Sequence, residues 1–150
     1  MTDCFRGAGI AFDLDGTLVD TAPDLVRALN EVVAADGLSE VALDDVRAMV
    51  GRGARVLIER AYSAQRKPID STSVDARVAR FIEIYRNGIA DRSHLFPGCR
   101  EMLEDLKEKG ARLSVCTNKP SELADALIET VERYGLPVGT LQRLLGARRF

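Results

Sequence analysis

Two aspartates separated by one residue close an apolar stretch near the start of the chain. The stretch is Ile10-Ala11-Phe12-Asp13-Leu14-Asp15-Gly16-Thr17-Leu18-Val19-Asp20, and its first half predicts a short buried strand. Aspartate is depleted in strands, so two carboxylates at its end need an explanation. Alternation puts Asp13 and Asp15 on one side, and Gly16 permits a tight turn after them. Such a pair suits a hard cation such as Mg²⁺, or a nucleophile beside a group that transfers a proton.

The same residues have a second interpretation. Asp15-Gly16 between apolar runs also predicts a β-hairpin, with Ile10–Leu14 and Thr17–Val19 as its arms. An EF-hand loop is excluded, because its sixth position requires glycine and Leu18 stands there. Spacing alone favours the hairpin and the catalytic loop equally.

The segment from Phe12 to Asp20 resembles the first motif of haloacid dehalogenase-like phosphatases. The resemblance implies that Asp13 attacks phosphorus and forms an aspartyl-phosphate. It implies that Asp15 protonates the leaving oxygen and later activates water. Mg²⁺ would be bound by Asp13 and by the main-chain carbonyl of Asp15. Thr17 would help to bind the phosphate, and it argues against a phosphomutase of the same superfamily, where valine tends to stand.

Composition bounds the class of protein. The 150 residues are 46% hydrophobic and 29% charged with a net charge of −2, which predicts a globular protein without affinity for nucleic acid or membranes. Cys4, Cys99 and Cys116 have no metal-ligand spacing and the start lacks a signal peptide, so we expect reduced thiols and a cytoplasmic location. His94 is the one histidine, which argues against histidine-rich zinc sites.

The pattern of apolar residues predicts two parts. Helical periodicity fills residues 21–93, whereas a second strand is predicted at Arg112–Thr117 and a helix follows it. Residues 140–145 fit a third strand or a frayed helix. We therefore predict an α/β protein whose Rossmann-like parallel-sheet core, residues 1–20 and 94–150, is interrupted by a helical insertion, residues 21–93. The resemblance implies that this insertion is a cap.

Two further segments resemble parts of this family. Val115-Cys116-Thr117-Asn118-Lys119-Pro120 is similar to the second motif, which implies that Thr117, Asn118 and Lys119 bind phosphate; capping and turn formation explain Asn118 and Pro120 equally well. Gly51-Arg52-Gly53 is similar to the cap loop of phosphoglycolate phosphatases, where Arg52 would contact a substrate carboxylate. Two glycines opening a helix are also typical of a plain turn.

The pattern departs from the family after Lys119. No further lysine follows, and the later acids, Glu122, Asp125, Glu129 and Glu132, all fall on a predicted helix. The chain resembles the first two-thirds of a phosphatase. We predict a Mg²⁺-dependent phosphomonoester hydrolase acting on a small phosphorylated metabolite; the alternative is a truncated, non-catalytic remnant that binds phosphate, metal or a partner chain. We also expect poor activity of this chain alone and self-association through an open sheet edge.

Overall fold

The computed structural model describes residues 5–133 and 142–143. The chain divides into two compact units: one comprises the residues up to Asp20 and from His94 onward, and the other is Thr21–Ser93. The elements in chain order are β1 (Gly9–Phe12), β2 (Val19–Asp20), α1 (Ala22–Ala35), α2 (Leu43–Arg47), α3 (Ala54–Ala64), α4 (Ser71–Arg86), β3 (His94–Leu95), α5 (Cys99–Glu108), β4 (Arg112–Val115), α6 (Ser121–Arg133) and β5 (Gln142–Arg143).

A parallel sheet of order β1-β4-β5 forms the first unit, together with α5 and α6. Leu113, Ser114 and Val115 of β4 are buried, as the central strand of the three should be. The α/β class with a Rossmann-like parallel sheet is therefore confirmed. The segment that fitted either a strand or a helix contributes β5.

The hairpin interpretation is wrong. β1 pairs with β4, and Val19–Asp20 pairs with His94–Leu95 as a separate antiparallel ribbon. After β1 the chain folds tightly around the carbonyl oxygen of Leu14, which accepts hydrogen bonds from the backbone N–H groups of Leu18 and Val19. This loop prevents the second arm from running back along β1.

β1 is also less buried than the sequence predicts. Ile10 and Phe12 are half-buried, while Gly9 and Ala11 are exposed. The reason is topological: among the described strands β1 lies at one edge of the sheet and has a partner on one side only. The buried anchors of this region come later, at Leu14, Leu18 and Val19, each 1% exposed.

The second unit consists of helices α1 to α4. Its core includes Leu29, Leu57, Phe81 and Tyr85, which are all buried. Gly37 ends α1 with a φ of 69°, in the left-handed region that glycine adopts without strain. α4 begins at Ser71, because the Asp70 carboxylate accepts a hydrogen bond from the Ser73 N–H and caps the helix.

A buried carboxylate joins the two ends of this second unit. Asp24 is fully buried near the start of α1, and its Oδ2 accepts hydrogen bonds from the Arg92 N–H at 3.0 Å, the Ser93 N–H at 2.8 Å and the Ser93 hydroxyl at 2.6 Å. Oδ1 lies 3.7 Å from the Nε of Arg27. Asp24 therefore fixes the place where the chain enters the unit beside the place where it leaves.

A second polar cluster crosses three elements of the same unit. The hydroxyl of Tyr62, a fully buried residue of α3, donates to Asp36 Oδ2 at 2.5 Å, and Arg77 Nε of α4 donates to that oxygen at 2.7 Å. The Tyr62 hydrogen bond, aided by the charge of Arg77 and opposed by partial burial, lowers the pKa of Asp36. Burial, together with the neighbouring carboxylate, raises the pKa of Tyr62.

Across residues 5–133, no helix is long and apolar enough to span a membrane.

Candidate active site

The register of β1 and β4 brings the chemically interesting residues of the first unit to one edge. Phe12 is opposite Val115, and the Cys116 N–H still donates to the Phe12 carbonyl at 2.8 Å beyond the last ladder pair. Asp13 follows β1 directly, and Thr117 comes two residues after β4. Parallel strands have their carboxyl ends on the same side, where open α/β sheets bind ligands.

The loop after β1 buries its leucines and leaves its polar side chains at or near the surface. Leu14 and Leu18 are buried, whereas Asp13 and Thr17 are exposed and Asp15 is partly buried. Gly16 makes this loop possible: its φ is 77°, and its N–H donates to the Val19 carbonyl at 2.8 Å. Two apolar anchors thus hold the loop while its polar side chains stay accessible.

The two carboxylates have different surroundings. Asp13 Oδ1 accepts a hydrogen bond from the Leu14 N–H at 2.8 Å. Asp15 instead contacts the Lys119 ammonium, whose Nζ lies 2.9 Å from Oδ1 and 3.2 Å from Oδ2. The Asp15 and Lys119 side chains are only 10% and 5% exposed. Asp13 is therefore the accessible carboxylate of the pair, whereas the Asp15 carboxylate is fixed by its ion pair with Lys119.

Lys119 is positioned by the turn between β4 and α6. Its N–H donates to Thr117 Oγ1 at 3.2 Å, so the threonine hydroxyl shapes the turn that carries the lysine. Burial lowers the pKa of Lys119, while the negative charges of Asp15 and, more weakly, Asp13 act in the opposite direction. The contact between Lys119 and Asp15 was not predicted. The feature of the sequence that could have indicated it is the position of Lys119, two residues after Thr117 at the end of the second strand.

The remaining predicted phosphate contacts lie at the same edge or in its loops. Thr17 is exposed, and its carbonyl oxygen accepts a long contact from the Cys99 thiol at 3.8 Å. Asn118 is exposed at the beginning of the β4–α6 turn. Phosphate binding by Thr17, Thr117, Asn118 and Lys119 stays a prediction, because the geometry only places them near the strand ends.

Arg52 lies in the second unit, in the turn between α2 and α3. Its side chain is exposed, and the flanking Gly51 and Gly53 have φ values of 82° and 88°. Both glycines are thus required by the backbone, as the plain-turn interpretation expects. The role of Arg52 in substrate recognition stays a prediction.

The donor set at the edge fits Mg²⁺ in kind. Mg²⁺ is commonly bound through one or two carboxylates, keeps several water ligands and takes oxygens from a substrate phosphate. Asp13 offers an accessible carboxylate, and the backbone of Asp15 follows it. Among residues 5–133 and 142–143 no three His, Cys, Asp or Glu side chains are grouped closely enough to hold a metal ion together. A cation bound here would depend mainly on Asp13.

Comparisons with known proteins identify the family. The family model of haloacid dehalogenase-like hydrolases matches residues 10–135, and the chain belongs to this family. The phosphoglycolate phosphatase of Caulobacter vibrioides is 57% identical over 126 residues, which are 84% of this chain and 53% of that protein. The phosphoglycolate phosphatase of Agrobacterium fabrum is 47% identical over 118 residues, 79% of this chain and 51% of that protein.

Solved structures agree with the fold. A crystal structure described as a predicted phosphoglycolate phosphatase from Haemophilus somnus superposes with a TM-score of 0.78 at 28% identity, covering 100% of this chain and 65% of that one. A predicted phosphatase from Clostridium acetobutylicum, at 19% identity and a TM-score of 0.75, supports the fold alone. This chain spans about half the length of the curated relatives it matches.

Proposed function

We propose that this chain carries the nucleophilic half of a phosphomonoester hydrolase site. The observation that carries the proposal is the meeting of Asp13, Asp15 and Thr117 at the carboxyl ends of β1 and β4 in a haloacid dehalogenase-like hydrolase. The relatives named phosphoglycolate phosphatase support phosphate-ester hydrolysis. The substrate would be a small phosphorylated metabolite, and the location would be cytoplasmic.

The proposed reaction has two steps. In the first, an Asp13 oxygen attacks phosphorus, the bond between phosphorus and the leaving oxygen breaks, and Asp15 gives that oxygen a proton. In the second, Asp15 takes a proton from water, whose oxygen attacks phosphorus and releases inorganic phosphate from Asp13. The hydroxyls of Thr17 and Thr117 and the amides that open α6 would hold phosphate oxygens throughout.

Mg²⁺ held by Asp13 and the Asp15 carbonyl would supply positive charge against the phosphoryl oxygens. The chain's own contribution is to keep Asp13 accessible. One Asp13 oxygen accepts a hydrogen bond from the Leu14 N–H, and the residue as a whole is exposed.

The test is labelling as well as turnover. The 150-residue chain is incubated with Mg²⁺ and a phosphomonoester, and both released phosphate and acid-stable, hydroxylamine-sensitive protein phosphate are measured. Asp13→Asn should lose both signals and keep the fold, whereas Asp125→Asn, which removes an exposed carboxylate on α6, should keep both. Labelling or turnover that survives Asp13→Asn contradicts the assignment of the nucleophile.

The substrate class is proposed from Arg52. An exposed guanidinium can bind a carboxylate through two parallel hydrogen bonds, which fits a carboxylated phosphoester such as phosphoglycolate. Arg52→Ala should raise KM for 2-phosphoglycolate at least tenfold more than KM for an uncarboxylated phosphoester, a difference of about 1.4 kcal/mol. Arg66→Ala, at another exposed arginine of the second unit, is the control. Equal changes for both substrates would remove Arg52 from recognition.

A second function, binding without turnover, is favoured by one observation. In the described part of the chain the metal would depend mainly on Asp13, and Lys119 already neutralises Asp15. Loss of one charge-stabilising group commonly costs about a hundred- to a thousand-fold in rate. Saturable binding of inorganic phosphate with no labelling of Asp13 would favour this function over hydrolysis.

A further inference from the structure

The contact between Lys119 and Asp15 is the most constrained interaction in the candidate site. A single ammonium faces both oxygens of the carboxylate, at 2.9 and 3.2 Å, and both side chains are at least nine-tenths buried. The lysine comes from the β4–α6 turn, and the aspartate comes from the loop after β1. The pair therefore joins the two loops that the sheet brings together.

The two aspartates raise a selectivity problem for a cation at this edge. Both are carboxylates, they are separated by one residue, and hard divalent cations bind carboxylate oxygens readily. If a cation bound both side chains, the Asp15 oxygen bonded to the metal would be blocked from carrying a proton, whereas a hydrogen bond from an ammonium can be broken and re-formed. Something must therefore distinguish the acid that binds the cation from the acid that transfers the proton.

We propose that Lys119 makes this distinction: it is a positioning residue that keeps the Asp15 carboxylate off a divalent cation bound at Asp13. The proposal rests on the hydrolase function proposed above. Three features support it. The ammonium contacts both Asp15 oxygens, it repels a second cation from them, and its direct contacts leave the more exposed Asp13 to bind the cation.

The proposal predicts that removing Lys119 increases the affinity for a divalent cation, because Asp15 then becomes a second carboxylate ligand. The test is titration of the whole 150-residue chain with Mg²⁺, and with Mn²⁺ followed by electron paramagnetic resonance, without substrate. Lys119→Met should bind about tenfold more tightly than the unchanged chain, the lower range for changes at residues that orient metal ligands. Asp15→Asn should change affinity less than twofold, and Asp13→Asn should abolish binding.

The double variant separates positioning from simple charge removal. In the Asp15→Asn background, Lys119→Met should give no tightening, since no second carboxylate remains to be released. Equal tightening in both backgrounds would mean that Lys119 acts only by its charge and would overturn the proposal. Lys119→Arg keeps a cation on Asp15 and should keep the original affinity. Lys107→Met, at an exposed lysine of α5, should change nothing.

The remaining outcomes also decide. If neither the unchanged chain nor Lys119→Met binds either metal, the proposal is wrong. If only Lys119→Met binds, and does so through Asp13 and Asp15, the proposal holds. Circular dichroism confirms that each variant folds. Because the readout is metal affinity without substrate, it is independent of Asp13 labelling, so failure of the hydrolase function would be recognised separately.

Discussion

Asp13 and Asp15 are separated by one residue but differ in exposure and in hydrogen-bonding partner. Asp13 is exposed and accepts one backbone hydrogen bond, while Asp15 is buried against an ammonium. The sequence predicted the pair, its position at a strand end and the turn at Gly16, because these follow from alternation and from glycine's conformational freedom. It did not predict the partner of Asp15, since Lys119 lies 104 residues away and only the parallel register brings it close.

A second residue, Asp36, leads to a prediction about how the free energy of unfolding depends on pH. Its pKa is lowered in the folded chain, mainly by the Tyr62 hydroxyl, so the folded state binds fewer protons than the unfolded state as pH falls through about 4. The stabilisation is therefore complete above the unfolded pKa and is lost as pH falls through the folded one. Urea titrations between pH 6 and pH 3 should show a steeper loss for the unchanged chain than for Asp36→Asn.

At neutral pH, Asp36→Asn should lower the free energy of unfolding by about 1.5 to 3 kcal/mol, the range for hydrogen bonds to charged groups. The control is Asp75→Asn, whose side chain is 65% exposed and pairs with Arg55 at the surface. A surface pair of this kind contributes about 0 to 1 kcal/mol. Identical pH slopes for the two variants would show that the Asp36 cluster does not control acid sensitivity.

Among the elements, helices were predicted better than strands. Helical periodicity over residues 21–93 predicted the region that forms α1 to α4, whereas the exact ends depend on caps such as Asp70 that periodicity does not show. The ribbon of β2 and β3 was missed, because two-residue strands carry no periodicity and their pairing spans the whole insertion. β1 was predicted as a buried strand in a sheet with an open edge; the strand order places β1 itself at an edge of the described sheet, which explains why it is only partly buried.

Asp24 tests whether the ends of the second unit are held by one side chain. Asp24→Ala removes the carboxylate that accepts three hydrogen bonds, from the Arg92 N–H, the Ser93 N–H and the Ser93 hydroxyl. Because these donors lose their acceptor, we expect the free energy of unfolding to fall by about 3 kcal/mol. Hydrogen exchange should accelerate at the amides of Arg92 and Ser93 while α3 stays protected. The control is Asp44→Ala, at a side chain that is 93% exposed.

If the amides of residues 92 and 93 exchange equally in Asp24→Ala and in the control, the carboxylate is not what holds the exit segment.

At the level of the whole molecule, association is most readily expected at β1, which has a strand partner on one side only among the described strands. Gly9–Phe12 carries no charge and no proline, the two devices that commonly protect an edge strand. We predict that two copies of the chain pair through β1 at micromolar concentrations. Ala11→Lys, which adds a charge at an exposed position of the strand, should shift the mass measured by light scattering towards the monomer.

The matched variant Ala79→Lys adds the same charge at an exposed position of α4 and should leave the mass unchanged. A monomer in the unchanged chain at all concentrations would contradict pairing through β1.

The joined ends of Thr21–Ser93 have a consequence for the order in which the chain folds. Phe12 and Val115 are paired across 103 residues (115 − 12), but Asp20 and His94 are 74 apart (94 − 20) and also paired. If the helical unit folds first, the loop that β1 and β4 must close shortens to about 29 residues, which lowers the loop-closure cost by about 1 kcal/mol, or roughly sixfold in rate. Pulsed hydrogen exchange during refolding should therefore protect α1 and α4 before β1 and β4, and Asp24→Ala should delay the sheet. An insertion whose ends are joined therefore separates β1 and β4 widely in sequence without slowing the closure of the loop between them in proportion.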